Sequence, residues 1–451
     1  MHMWIIPARG AIAVLAFVFI AIAAIEVSPT STHPAAAPAP LPEGKEPPAR
    51  PRRHGPFESS CVQCHLEMDD SEESPAVRVR QDVHFEAGLN CSDCHGGNAA
   101  AGFDGDMDAA HDEGWAAHPF RGRPARADIP LFCARCHGDP TYMKRFDPQA
   151  RVDQHGEYVT SVHGKRLAAG DLNVATCADC HGVHGVLAVK DPRAPVHPTR
   201  VAETCSTCHS DRDLMAPYGR RGDPYADYSR SVHADALYKE GDLSAPTCND
   251  CHGSHGAVPP GVDSVANVCG SCHAREATLF REAEMANNTN LEACIQCAVC
   301  HTNHAIMLPT TEMLGTGPGS TCVGCHLEGE PGWIAAERMK DSLEGIGTKL
   351  AEAYEILERA ERAGVEIGPD RFALHEADDN LVEARVLVHS FDLERFEQVA
   401  SKGLAVAEEG IAAGHRAFSE LRTRRIGLGL SLIVIFAVIG GLVMVIRRIE
   451  S

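Results

Sequence analysis

Nine times in this chain a Cys-x-x-Cys pair is followed at once by histidine. The pairs are Cys61/Cys64, Cys91/Cys94, Cys133/Cys136, Cys177/Cys180, Cys205/Cys208, Cys248/Cys251, Cys269/Cys272, Cys297/Cys300 and Cys322/Cys325. The residues that close them are His65, His95, His137, His181, His209, His252, His273, His301 and His326. Eighteen of the nineteen cysteines are used this way, while histidine fills only 25 of 451 positions, so nine coincidences are not credible. C-x-x-C-H is the attachment signature of c-type haem. Two thioethers hold the porphyrin and the adjacent histidine reaches the iron from the same turn. A zinc ribbon or a redox dithiol asks for no histidine at that place. The expectation is nine covalent haems c, tethered by all eighteen motif cysteines.

From Cys61 to His326 there are 266 residues, about thirty per haem. Aromatic residues make up 5% of the chain. Such a stretch cannot build an ordinary core of side chains. The porphyrins must supply the apolar mass, so the expected fold is mostly α with extensive irregular structure, a wrap around stacked haems over residues 57–330. The formal charge of −21 argues against nucleic acid, which needs a basic face. It suits both solubility and a basic redox partner.

The flanks speak for export and a membrane. Gly10 to Ile25 is an apolar run of 16 residues, which makes residues 1–27 a signal peptide or an N-terminal anchor. Residues 28–56 read as a Pro/Ala-rich linker. Ile426 to Ile446 is an uncharged apolar stretch of 21 residues, long enough to span a bilayer, with 447–451 as a cytoplasmic tail. Haem attachment outside the cytoplasm then sets the expected orientation: haems on the periplasmic side of the cytoplasmic membrane, tail end inside. Between 333 and 425, Leu343, Ile346, Leu350, Tyr354 and Leu357 recur at helical spacing. So do Leu374, Ala377, Leu381, Ala384 and Val388, and then Leu393, Phe396, Ala400, Ala407 and Ile411. Asp370 and Asp392 stand where the second and third helices would be capped. A three-helix stalk is expected.

Inside the motif zone lies a repeat of about seventy residues. Ser161-Val162-His163 precedes Cys177, and Ser231-Val232-His233 precedes Cys248. The motifs that follow continue as C-x-x-C-H-G-x-H-G, giving His184 and His255, and a second motif closes each unit. A third unit keeps His304 but has no Ser-Val-His; Met285 stands 12 residues before Cys297. An earlier unit keeps Val83-His84 and has Asn98 where His184 and His255 sit. A second protein ligand closes a haem iron and makes a carrier, whereas an open position makes a catalyst. His84, His163, His184, His233, His255, His304 and, before the first motif, His54 are therefore the candidate distal ligands. His111, His118, His155 and His197 are weaker candidates, because lone loop histidines are usually solvated. One iron of the third unit has no obvious histidine. Met285, Met307 or Met313 could serve it, it could be open, or His375, His389 or His415 could reach it from the stalk, although a buried or capping role is the first reading of the stalk histidines. Cys294 overlaps the motif at Cys297 and reads as a buried spare thiol. Asp104, Asp106 and Asp108 alternate as in a calcium loop, but Trp115 stands where the closing glutamate belongs.

The Ser-Val-His elements, the C-x-x-C-H-G-x-H-G runs and the paired motifs resemble the multihaem c-type cytochromes with doubled C-x-x-C-H units, over roughly residues 54–330. The resemblance implies that the histidine three residues past a motif (His184, His255, His304) ligates a neighbouring haem. It implies electron relay, here between a quinol-oxidising membrane subunit or other cytochromes and periplasmic or terminal acceptors. The nitrite reductase and hydroxylamine oxidoreductase type enzymes are similar too and imply the alternative, a reductase or oxidase of small nitrogen or sulfur compounds at one open haem. This chain departs from the former, having no motif with lysine for the proximal histidine. Tyr354, the place to look for the latter's haem-linked tyrosine, has no distinguishing context.

Overall fold

The computed structural model describes residues 59–220, 222–258, 268–285 and 296–450. The expected signal segment, the Pro/Ala linker, His54 and Cys294 lie outside them. The described residues are mostly helical, 64%, with no strands. Two kinds of architecture alternate with the density of cysteine.

Across the motif zone the helices are short. Cys91–His95, Cys177–His181, Cys248–His252 and Cys297–His301 are single turns that begin on a motif's first cysteine and end on its histidine. Ile129–His137 and Pro198–His209 likewise stop at their motif histidines. Side-chain packing here is sparse, as the composition demanded. The described zone holds two small apolar clusters, Val62/Ala76/Val79 and Ala202/Tyr228/Ala234.

The main core is in the stalk. Pro331–Arg362, Gly368–Leu387 and Leu393–Glu450 form its three helices, and their buried faces carry the apolar periods read above. Asp392 caps the third helix, accepting from the Arg395 amide at 3.0 Å. Asp370 lies instead in the first turn of the second, whose N-cap is Ile367, because Gly368 and Pro369 already belong to that helix and proline is tolerated in a first turn. The first and third helices run parallel: Gly410 packs on Ala353 and Gly414 on Ile356, while the Arg359 guanidinium lies 5.7 Å from the Phe418 ring centre. The second helix returns between them, with Leu374 against Gly410 and Asn380 against Gly403. Small residues on the third helix let these backbones approach closely.

The third helix is continuous for 58 residues and is the described helix long and apolar enough to cross a membrane, with a mean hydropathy of 2.8 in its best window. From Leu393 to Arg425 it rises about 50 Å before the apolar stretch starts. The motif zone joins the stalk at the other end. Arg275 pairs with Glu383, Leu279 enters the bundle core, and Thr311 Oγ1 donates to Glu344 at 3.3 Å.

Phe396 is fully buried at this junction and Phe372 is 76% exposed. Phe396→Ala should therefore cost about 3–5 kcal/mol of bundle stability, and Phe372→Ala no more than about 0.5 kcal/mol. Thermal unfolding followed by circular dichroism checks the difference.

Candidate haem-ligand pairs

The local sequence explains why each motif is a tight turn. Asn90, Thr176 and Thr247 precede first cysteines and cap them, and Asp93, Asp179 and Asp250, inside the motifs, return the bond. The Thr176 amide donates to Asp179 Oδ2 at 2.7 Å and the Thr247 amide to Asp250 Oδ2 at 2.8 Å. This is the capping box, two otherwise orphaned donors satisfied reciprocally. At the other end Gly182 takes φ +81, which turns the chain out of the helix. At the equivalent place in the third unit Thr302 is forced to φ 62, ψ −170, a region almost reserved for glycine.

The Val-His elements are built in the same economical way. Ser161 and Ser231 are fully buried and cap their helices through Gly164 N at 2.9 Å and Ala234 N at 3.1 Å. Asp82 does the same for His84. The following valine amide then ties two distant segments together. Val83 N donates to Val186 O at 2.7 Å, Val162 N to Ala257 O at 3.0 Å, and Val232 N to Ile306 O at 2.8 Å. The acceptors lie two residues past His184, His255 and His304. Each Val-His turn is thus stapled to the H-G-x-H-G-x loop, or its His304 counterpart, of the next unit.

The staple sets two histidines at each junction facing opposite ways, and every one meets a motif histidine. His84 faces His137, His163 faces His209 and His233 faces His273, with ring centres 5.9, 6.1 and 6.4 Å apart. His184 faces back to His95, His255 to His181 and His304 to His252, at 6.1, 6.2 and 6.1 Å. Two further pairs were less legible in the sequence. His111 stands 6.3 Å from His65, and His389 of the stalk stands 6.0 Å from His301. His389 keeps the capping role first read for it, with Nδ1 2.9 Å from the Val386 carbonyl, and its ring faces His301 as well. It sits in the turn Val388–Ser390 that joins the second and third stalk helices.

Eight pairs with one separation call for one explanation. An imidazole nitrogen binds a metal at about 2 Å. With each ring centre about 1.1 Å further out, two axial imidazoles on one iron have centres about 6 Å apart. Several rings are oriented for this. Nδ1 of His95, His111 and His389 lies 2.9 Å from the Gly122, Met107 and Val386 carbonyls, to which it donates, leaving Nε2 free to coordinate. Burial holds His137, His163, His181, His184, His209, His233, His301 and His304 below the usual histidine range, which favours the neutral, coordinating form. No group of three or more His, Cys, Asp or Glu side chains among the described residues makes a metal site by itself. The arrangement fits an iron whose equatorial ligands come from a porphyrin.

Neighbouring motifs also touch in a fixed alternation. Cys61 and Cys91, Cys133 and Cys177, Cys205 and Cys248, and Cys269 and Cys297 meet sulfur to sulfur. The second cysteines carry the links between: Cys94 lies within electrostatic reach of Cys136, Cys180 of Cys208, Cys251 of Cys272, and Cys300 of Cys322. Burial pushes the Cys180 thiol up to about 11, so it stays protonated at neutral pH. The nine motifs therefore follow one another in space in chain order.

Cys64 and Cys325 lie in the first and the ninth motif. Both are exposed, whereas most of the others are half-buried. The physical reason is position in the series. The first and ninth motifs have a neighbouring motif on one side alone, so one sulfur of each is left facing outward. Cys61 spends its contact on Cys91, which leaves Cys64 outside the alternation. In the ninth motif Cys322 and Cys325 share the reach of Cys300, with no tenth motif beyond them. Cys251 and Cys272 are exposed as well, but they lie next to each other between two motifs. For Cys64 and Cys325 the tethering role thus rests on the motif spacing and not on packing against a neighbour.

The remaining candidates fall elsewhere. His197 is buried but caps its own helix, with Nδ1 2.8 Å from Thr199 Oγ1. His118, His155, His375 and His415 face no motif histidine among the described residues. His326 has no histidine ring opposite it among the described residues. No protein-family model, curated protein or solved structure matches the chain.

Two substitutions check the local account. Thr302→Gly should stabilise the folded chain by about 1 kcal/mol by relieving its backbone. Asp179→Ala should destabilise it by about 1 kcal/mol by opening the capping box. Melting of the purified protein reports both.

Proposed function

We propose that the chain is a membrane-anchored multihaem c-type cytochrome that relays electrons through nine haems in sequence order. The observation that carries this reading is the set of eight imidazole pairs with a common spacing of 5.9 to 6.4 Å, each joining one motif histidine to one histidine from outside the motifs. When bound, the porphyrin iron supplies a reversible one-electron couple. The eighteen cysteines tether it, Cys64 and Cys325 at the exposed ends of the series, and the paired imidazoles close both axial faces. Closed faces exclude oxygen and substrates, so the residues favour carrying electrons over catalysis at these eight positions. The alternating cysteine contacts hold consecutive groups close enough for short hops.

The C-terminal helix anchors the chain, with the haem zone outside the cytoplasmic membrane and Arg447 and Arg448 inside. The partners are a quinol-oxidising membrane subunit or other cytochromes on one side and periplasmic or terminal acceptors on the other. The stalk refines this. Motifs eight and nine join it near His389 and Pro331, about 50 Å of helix from the apolar stretch. Tunnelling decays exponentially with distance, so a quinol dissolved in the bilayer cannot reach them in one step. The donor at that end presents a redox centre raised well above the lipid.

The test uses the full chain expressed in a host that matures c-type cytochromes. It should keep nine haems through denaturation, all reversibly reduced. His389→Ala should turn one low-spin iron per chain high-spin, while His375→Ala should leave the spectrum unchanged. Colourless protein, or a His389→Ala spectrum identical to the parent, would contradict the reading.

A further inference from the structure

We infer that the iron held by His326 is the exchangeable iron of this chain, with a sixth position that accepts a small exogenous ligand such as cyanide or nitrite. The inference rests on the haem reading above and adds which of the nine sites is chemically open.

The junction rule says where a ninth partner would come from. The second motif of each unit takes its partner from the Val-His turn that opens that same unit: His137 from His84, His209 from His163, His273 from His233. For His326 the corresponding stretch lies between His273 and Cys297, and the sequence has no histidine there. The helix Ala274–Glu282 runs through it and leads to Met285. A thioether at that place is a weaker ligand for ferric iron than imidazole and is displaced by a strong one. The stalk does not make up the loss. His389, the stalk ring that meets a motif histidine, is committed to His301. His375 lies by Asp378 and against the Phe372 ring, 6.0 Å away.

The ground around the ninth motif differs from the rest as well. Cys322–Gly324 is a 3₁₀ turn, not the end of an α-helix as at Cys133/Cys136 and Cys205/Cys208, and the stalk begins at Pro331 directly after it. Cys325 is exposed there, at the open end of the cysteine series. The His326 ring lies against the backbone of the first stalk turn: a β-carbon at Gly332 would collide with its Cε1, Nδ1 and Nε2. Glu330 Oε2 lies 3.7 Å from its Nδ1. The loop before it is pinned to the motif, with Thr321 N donating to Met313 O at 3.0 Å and Cys322 N to Ser320 Oγ at 3.1 Å. This holds the proximal side firmly, while nothing in the repeat provides a second imidazole. Because the sites run in chain order, the exchangeable iron is the terminal one, at the stalk end of the wire.

Cyanide titration of the oxidised full-length protein tests this, with haem content measured on the same sample. One equivalent of cyanide should bind per chain, with loss of the signal of one iron. The double variant Cys322→Ala/Cys325→Ala should carry one haem fewer, lose the cyanide equivalent and keep the remaining spectrum. Nine haems with no cyanide uptake would overturn the inference and leave the relay reading standing. So would uptake that persists in the double variant, or a ninth motif without haem. Absence of any covalent haem would instead overturn the relay reading itself.

Discussion

Two imidazoles bound to opposite faces of one iron join two pieces of chain that need share nothing else. On the proposed reading that constraint organises this molecule. In the described motif zone the side-chain clusters are small, so the reading assigns the connections between segments to the metal sites and a few backbone bonds. The Val83, Val162 and Val232 amides tie each Val-His turn to the loop carrying the next unit's returning histidine. One staple thereby sets two histidines against two different motif histidines. If haems occupy these pairs, cofactor incorporation and folding become one process, since the bonds to the group then fix the segments.

The stalk obeys a different logic. Its helices bury Phe396, Leu374 and a series of alanines against one another, and Gly410 and Gly414 let the parallel first and third helices close up. It would be an ordinary spacer but for His389, which the turn between its second and third helices presents to His301. A structural element with its own core thus contributes a histidine to the series of ring pairs, and the position of the last two motifs is fixed relative to the long helix. The height of that helix above its apolar stretch then bears on who the partners can be.

Much of this was legible in the residues because it is repeated. Ser-Val-His and C-x-x-C-H-G-x-H-G recur in register, and helical apolar periods give the stalk. What repetition cannot give is which histidine meets which motif, since that depends on the crossing of segments about a hundred residues apart, as for Asp82 and Val186. His111 and His389 are single histidines with no repeat context, so the sequence ranked them with solvated or buried residues. Only the fold brings them to His65 and His301. Nor does a repeated motif reveal its own ends: Cys64 and Cys325 read like every other motif cysteine until the fold leaves them exposed at the two extremes of the series. The roles of Asp93, Asp179 and Asp250 as the returning half of each capping box were open to reading from the Thr/Asn-C-x-Asp-C-H pattern and were overshadowed by the cysteines around them.

The most direct test of the paired-imidazole account is low-temperature electron paramagnetic resonance of the fully oxidised protein, integrated against its haem content. Eight low-spin irons with two imidazole ligands each, beside one iron of different character, is the result the proposed relay predicts. A spectrum dominated by high-spin iron would contradict it.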